Sequence, residues 1–180
     1  MKTFALTSLL FLATICNINA QEAEEAPVSY LGKTITLDST ITSLYGAISG
    51  EKGVERDWKL FKYLFKNEAK LIPAYKDGVK GIYDTNYLSV EDYINTTNDW
   101  IIANGYIKKE IHRVTQSYGN ITHAFITFEA FRSEQDETPF LRGIDSIELL
   151  FDGQRWWVVN LYWTLETEGT PIPEDYLPKP

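Results

Sequence analysis

His112 is the residue of this chain best suited to acid–base chemistry, because imidazole titrates near neutral pH, and Glu110 stands two positions before it. Residues i and i+2 of a strand share a face. Glu110 can therefore hold the imidazole charged or fix its orientation. The surrounding pattern supports a strand here. Residues 106–117 and 121–131 are β-rich runs separated by Tyr118-Gly119-Asn120. With Gly119-Asn120 as a two-residue turn, Tyr118 pairs with Ile121, His112 faces Thr127, Gln116 faces His123 and Glu110 faces Glu129. Two facing carboxylates raise the pKa of one of them, as in many acid–base sites. Arg113, Arg132 or Arg142 can instead neutralise them into a structural cluster. His112 has a structural alternative too, as a strand histidine hydrogen-bonded at an interface or an exposed edge. His123, beside the turn, is expected to be exposed.

A second hairpin, from Arg142 to Trp163, turns at Asp152-Gly153, a dipeptide that favours the positive φ angles of tight turns. A two-residue turn pairs Phe151 with Gln154 and places Asp145 opposite Asn160, Ser146 opposite Val159 and Arg142 opposite Trp163. Asp145 with Asn160 is a mid-strand polar pair that can orient a ligand or hydrogen-bond a second copy of the chain. Arg142 over Trp163 suits a cation–π contact that also holds an anionic ligand. It equally suits an arginine stem packed on a ring. Trp156 and Trp157 must point to opposite faces, one to the core or a pocket wall and one to an interface. The catalytic candidates are thus His112 and Glu110. The ligand-binding candidates are Arg142, Asp145, Ser146, Trp157, Asn160 and Trp163. No metal site is expected, since the two histidines form neither HxH nor HExxH. No nucleophile elbow and no glycine-rich phosphate loop is present. No cofactor is expected.

The elements that must position these residues come in two blocks. From Leu37 the pattern is helical, with Asp38 or Ser39 as cap and Ile41, Leu44, Tyr45 and Ile48 on one stripe. Asp57 can cap a second, short helix with Leu60, Phe61, Leu64 and Phe65 on its apolar face. Residues 71–75 and 79–83 flank Asp77-Gly78 as a further hairpin. Ser89 and Asp92 form a capping-box pattern ahead of a third helix, which Gly105 ends. Everything after Gly105 reads as β until the proline-rich tail, residues 170–180. Helices first and a long antiparallel sheet last give an α+β domain. A curved sheet wrapped around the helices leaves a cone whose open end is a natural ligand site.

The chain has 180 residues and a formal charge of −8, enough length for one domain with a core. Without a basic block, it is a poor match for nucleic acid or anionic lipid. Lys2, the apolar run 4–15 and Ala20 read as a secretory signal peptide over residues 1–20. Residues 21–36 then form a flexible leader, and the domain runs over residues 37–177. Cys16, the single cysteine, lies inside the signal. Bulky Ile15 precedes it where lipoprotein signals place a small residue. The expectation is therefore an exported protein, periplasmic or secreted, without a lipid anchor and without membrane insertion after signal removal. Strand 155–166 carries large apolar groups on both faces and needs cover on both sides. The chain's own helices supply one cover, and a second copy is expected to supply the other.

Seven segments in order carry a family resemblance: Tyr45-Gly-Ala-Ile-Ser-Gly50, Arg56-Asp-Trp58 with Leu64-Phe65, Ala69-Lys-Leu-Ile-Pro73, Glu110-Ile-His-Arg113, Gly119-Asn-Ile121, Arg142-Gly-Ile-Asp-Ser146 and Arg155-Trp-Trp157. Together the chain resembles bacterial members of the NTF2-like superfamily (SnoaL-like, cystatin-like α+β cone) from about residue 37 to residue 177. The resemblance implies a pocket between sheet and helices and a homodimer built on the outer face of the sheet. Activity does not follow from this fold. Ile126, Phe128 and Asp145 stand where the family pattern has Ser, Tyr and Asn, so no catalytic residue is carried over. Three readings remain open. One is a homodimeric binder of a small, largely apolar molecule in an aromatic-lined pocket. Another is an isomerase or dehydratase using His112. The last is an interaction module whose pocket is filled by its own side chains.

Overall fold

The computed structural model describes residues 29–179. The expected signal peptide and residues 21–28 of the expected leader lie outside the described residues. Residues 31–36, read from sequence as the end of that leader, pack on the body. Leu31–Lys33 form a 3-10 turn, Thr34 is fully buried, and its carbonyl accepts the Trp156 N–H at 2.8 Å.

Helix α1 spans Leu37–Ile48. Its cap is Thr36 rather than Asp38 or Ser39: the Thr36 side chain accepts the Ser39 N–H while Ser39 reciprocates to the Thr36 N–H. This satisfies two amides that the first helical turn leaves unpaired. Its stripe of Ile41, Leu44, Tyr45 and Ile48 is buried as the spacing predicts. Helix α2, Trp58–Leu64, is capped by Asp57. Helix α3, Val90–Asn104, starts at the Ser89–Asp92 capping box. It ends at Gly105, whose φ is 73°. A Cβ there would lie 2.0 Å from the Arg132 carbonyl oxygen, so only glycine fits the approach.

Among the described residues, six strands form one sheet in the order β2-β1-β6-β5-β4-β3. They are β1 (Phe65–Lys76), β2 (Tyr83–Thr85), β3 (Ile107–Tyr118), β4 (Ile121–Phe131), β5 (Leu141–Phe151) and β6 (Trp156–Leu165). Two features depart from the sequence reading. Phe65 leaves α2 directly into a twelve-residue strand that pairs parallel with β6. The return strand is only Tyr83–Thr85, pairing Ala74 with Thr85. Asp77 causes the wider turn, since its carboxylate accepts the Val79 and Lys80 amides at 2.8 Å each.

The register also departs in informative places. The β3–β4 turn pairs Tyr118 with Ile121, Gln116 with His123 and His112 with Thr127 as expected. A bulge at Ile111 then moves Glu129 opposite Lys109 and sets Glu110 opposite Phe128, so the two carboxylates do not face each other. In the β5–β6 hairpin the Asp152 carboxylate accepts the amides of Gln154 and Arg155 and the indole N–H of Trp157. This makes a longer turn, and Phe151 pairs with Trp156. A bulge at Val159 adds one more residue. Asp145 therefore faces Trp163, Ser146 faces Tyr162, and Asn160 faces Glu148. A shift of odd parity exchanges the faces of a strand, and it separates Asp145 from Asn160.

The helices lie in the concave side of the sheet and share the core with Ile126, Phe128, Ile147, Leu149, Val158 and Leu161. The tail crosses the convex side. Thr127 donates to the Tyr176 carbonyl at 2.6 Å, and the Tyr176 ring meets Phe125 edge-on at 5.1 Å. No described helix is long and apolar enough to cross a membrane.

Arg56 joins the helix ends. Its guanidinium donates to the carbonyls of Ile48 and Ile101 at 3.0 and 2.9 Å, in the last turns of α1 and α3, and to Gly50 at 2.7 Å. The Ile48 and Ile101 carbonyls belong to the last turns, where no partner is supplied within the helix. Arg56→Met should therefore lower unfolding free energy by about 3 kcal/mol or more, since buried acceptors lose their donors. Arg56→Lys should recover only part of this, because an ammonium cannot reproduce the fork. Urea unfolding measures both. Two variants within about 0.5 kcal/mol of the parent would show that the helix ends do not rely on Arg56.

Candidate functional site

Asp145 projects from the middle of β5 into the concave side and has no exposed surface. One carboxylate oxygen, Oδ2, accepts the Tyr45 hydroxyl from α1 and the Lys108 ammonium from β3, each at 2.6 Å. The other, Oδ1, has no partner among the described residues. Lys108 is itself 7% exposed, with Nζ 3.7 Å from the centre of the Phe128 ring and 4.7 Å from that of Tyr45. Two aromatic faces thus add cation–π attraction to the ion pair. Gly143 makes this stacking possible, because a Cβ there would lie 2.5 Å from the Thr164 carbonyl oxygen and 2.9 Å from the Phe128 ring. Ser49 fixes the approach of β3: its hydroxyl donates to the Tyr45 carbonyl and accepts the Lys108 amide at 2.9 Å.

A cavity of about 210 Å³ opens above this floor between sheet and helices. Its aromatic walls are Tyr45, Phe61, Tyr93, Trp100, Tyr106, Phe128 and Trp163. Lys108 is the only charged side chain among its described lining residues. Burial lowers the Lys108 pKa, opposed by the attraction of Asp145. Burial and then the Asp145 charge push Tyr45 well up, and the same two causes raise Tyr93. Tyr106 is pushed well up by burial, then Tyr93, then Asp145. Three neutral phenols and one ammonium therefore surround one buried carboxylate. Lys108, Tyr93 and Tyr106 can donate hydrogen bonds to an oxygen of an otherwise apolar guest, while the Tyr45 hydroxyl is held by Asp145.

Of the residues singled out in the sequence, Asp145 lies in this floor and Trp163 in the wall, where its ring meets Tyr93 edge-on at 6.0 Å. The others are not brought there. His112 pairs with Thr127, on the face the tail covers, and its Nε2 is buried without a described partner. Glu110 forms a fork with Arg113, at 2.8 and 2.7 Å, and Arg113 reaches on to Asp38. Arg142 is held by Glu166 at 2.7 Å instead of lying over Trp163. Ser146 meets His123 Nε2 at 2.9 Å, and both Ser146 and Asn160 line an outer groove beside Tyr162. Trp157 packs against Arg155, whose guanidinium lies 3.7 Å from its ring centre and the same distance from Tyr63.

Lys108, Tyr45, Tyr93 and Tyr106 are not among the site candidates that the sequence offers. One signal for Tyr45 was available. A tyrosine inside a buried helical stripe needs a partner for its hydroxyl, and the partner had to come from the sheet.

No family model matches the chain, and no curated protein does. Solved structures do match. A protein of unknown function with a cystatin-like fold from Nostoc punctiforme aligns over 73% of this chain and 89% of its own, at 7% identity and a TM-score of 0.54. A candidate scytalone dehydratase from Novosphingobium aromaticivorans covers 72% of this chain and 81% of its own, at 10% identity and a TM-score of 0.52. An NTF2-like protein of unknown function from Silicibacter pomeroyi covers 72% and 92%, at 16% identity and a TM-score of 0.48. Over its described residues the chain has the NTF2-like, cystatin-like α+β cone fold, with three α-helices in a curved, unclosed sheet.

The phenols make the site visible to alkaline titration. A group whose folded pKa is raised keeps its proton in the folded state after the unfolded chain has lost it. Its contribution is fully present below the unfolded tyrosine pKa, near 10, and is lost as pH rises through the folded value. Lys108 acts oppositely, since its folded pKa is lowered: its contribution grows as pH rises from that value to the unfolded one. With three phenols against one amine, unfolding free energy should fall above about pH 10. Absorbance at the tyrosinate band should show Tyr45, Tyr93 and Tyr106 ionising only as the fold is lost. Ionisation of every tyrosine before unfolding would contradict the buried cluster.

Proposed function

We propose that this is an exported protein that binds a small, largely apolar molecule of one or two rings, carrying an oxygen acceptor, in the cavity above Lys108. The observation that carries the reading is the single ammonium in an aromatic cavity of about 210 Å³. Aromatic walls reward burial of rings. Lys108 and the neutral phenols of Tyr93 and Tyr106 reward an acceptor placed at the floor. Export is supported by Lys2, the apolar run 4–15 and Ala20.

A homodimer through the convex face belongs to the same proposal. The tail takes the β3–β4 side of that face, and Tyr87 and Tyr162, exposed by 69% and 46%, remain on the other side for a second copy.

Catalysis enters only as a second reading. An isomerase or dehydratase relying on His112 gains no support from a histidine on the convex face. Any proton transfer in the cavity would rest on Asp145, Lys108 and Tyr45. The name of the Novosphingobium aromaticivorans neighbour describes that protein, and the likeness is one of fold alone.

The test uses protein purified from its own host. Native mass spectrometry should find a co-purified small molecule, and 2-naphthol should quench tryptophan fluorescence saturably through Trp163 and Trp100. Leu165→Trp, which blocks the mouth where Leu165 is already half exposed, should weaken 2-naphthol binding by more than about tenfold, roughly 1.4 kcal/mol. Absence of any bound molecule together with no saturable quenching would overturn the reading.

A further inference from the structure

We propose that Lys108 is a nucleophile that captures aldehydes and ketones in the cavity as a covalent imine. This rests on the reading of the cavity as a ligand site and names the reactive class of its ligand.

Lys108 is placed for this by geometry. Its amine lines the cavity, so a guest carbonyl can reach it, while the side chain is otherwise enclosed. A lysine is nucleophilic only as the free amine, and a nearby base must take its proton. Asp145 Oδ2 is that base at 2.6 Å. The resting ion pair can pass its proton across this hydrogen bond as the carbonyl arrives, which frees the amine without leaving a lone buried charge. The lowered pKa of Lys108 acts in the same direction. A tie that served packing alone could be replaced by apolar groups at no loss. Here Lys108 lines a cavity instead.

The surroundings also fit each stage of the reaction. The free amine adds to the carbonyl carbon, and a C–N bond forms as the C=O π pair moves onto oxygen. The proton held by Asp145 passes to that oxygen and gives the hydroxyl of a carbinolamine. Asp145 takes a proton from the nitrogen and returns it to the hydroxyl, which leaves as water while the nitrogen lone pair forms the C=N bond. The net change is ammonium plus carbonyl to iminium plus water, with no oxidant or reductant. Charge is the same at the start and the end. The iminium keeps the Asp145 counter-ion and the faces of Phe128 and Tyr45 that held the ammonium. The Tyr45 hydroxyl, kept protonated, holds the carboxylate in place throughout.

Reductive trapping tests this. The protein is treated near neutral pH with 2-naphthaldehyde and cyanoborohydride, and adducts are located by peptide mass spectrometry. The expected result is a single naphthylmethyl group per chain, on Lys108, blocked by excess 2-naphthol and lost in Lys108→Arg. Location on the unaltered chain is decisive even if that variant folds poorly. Should 2-naphthol bind while Lys108 stays unmodified, or while adducts scatter over surface lysines, the nucleophile is refuted and the binding site survives. Should neither compound bind, both readings fall.

Discussion

Burying the charge of Asp145 is the constraint around which this molecule is arranged. A carboxylate in an apolar sheet interior is costly unless it is paired and hydrogen-bonded. The fold meets that demand from two directions, with Tyr45 on α1 and Lys108 on β3. Satisfying it draws α1 against the sheet. It requires Gly143 beside the Phe128 ring and leaves the ammonium at the floor of the cavity. Pairing and pocket are therefore one arrangement, because the groups that neutralise the carboxylate are those a guest would meet.

The architecture was legible where local signals act. Asp57, Ser89 and Gly105 mark helix ends by capping chemistry and by a conformation only glycine adopts easily. The stripe of α1 placed Tyr45 in the core, and Tyr118-Gly119-Asn120-Ile121 set the β3–β4 register near its turn. What escaped was non-local or parity-dependent. The parallel pairing of β1 with β6 joins segments about ninety residues apart, which no local pattern announces. The bulges at Ile111 and Val159 each insert one residue, and one residue reverses which face a side chain meets. For that reason the sequence pairs Asp145 with Asn160, where the fold sets it opposite Trp163. Lys108 carries no local signal, since its meaning depends on a tyrosine 63 positions earlier and an aspartate 37 later.

The two faces of the sheet divide the chemistry between them. On the concave side Tyr45 and Lys108 converge on one carboxylate. On the convex side they are dispersed: Arg142 with Glu166, Ser146 with His123, and Thr127 beneath Tyr176. Dispersed pairs of this kind stabilise a surface, although His112 Nε2 on that side has no described partner. The convergent set leaves one buried carboxylate oxygen without a described partner, and its Lys108 lines the cavity.

The central claim is that Lys108 and Asp145 act as one unit, and a double-mutant cycle measures it most directly. Lys108→Met and Asp145→Leu, singly and together, are compared by urea unfolding. Each single change strands a buried charge and should cost about 3–5 kcal/mol, while the double change removes both and should return most of that loss. The predicted coupling is several kcal/mol. Additive losses, with a coupling below about 0.5 kcal/mol, would contradict the account.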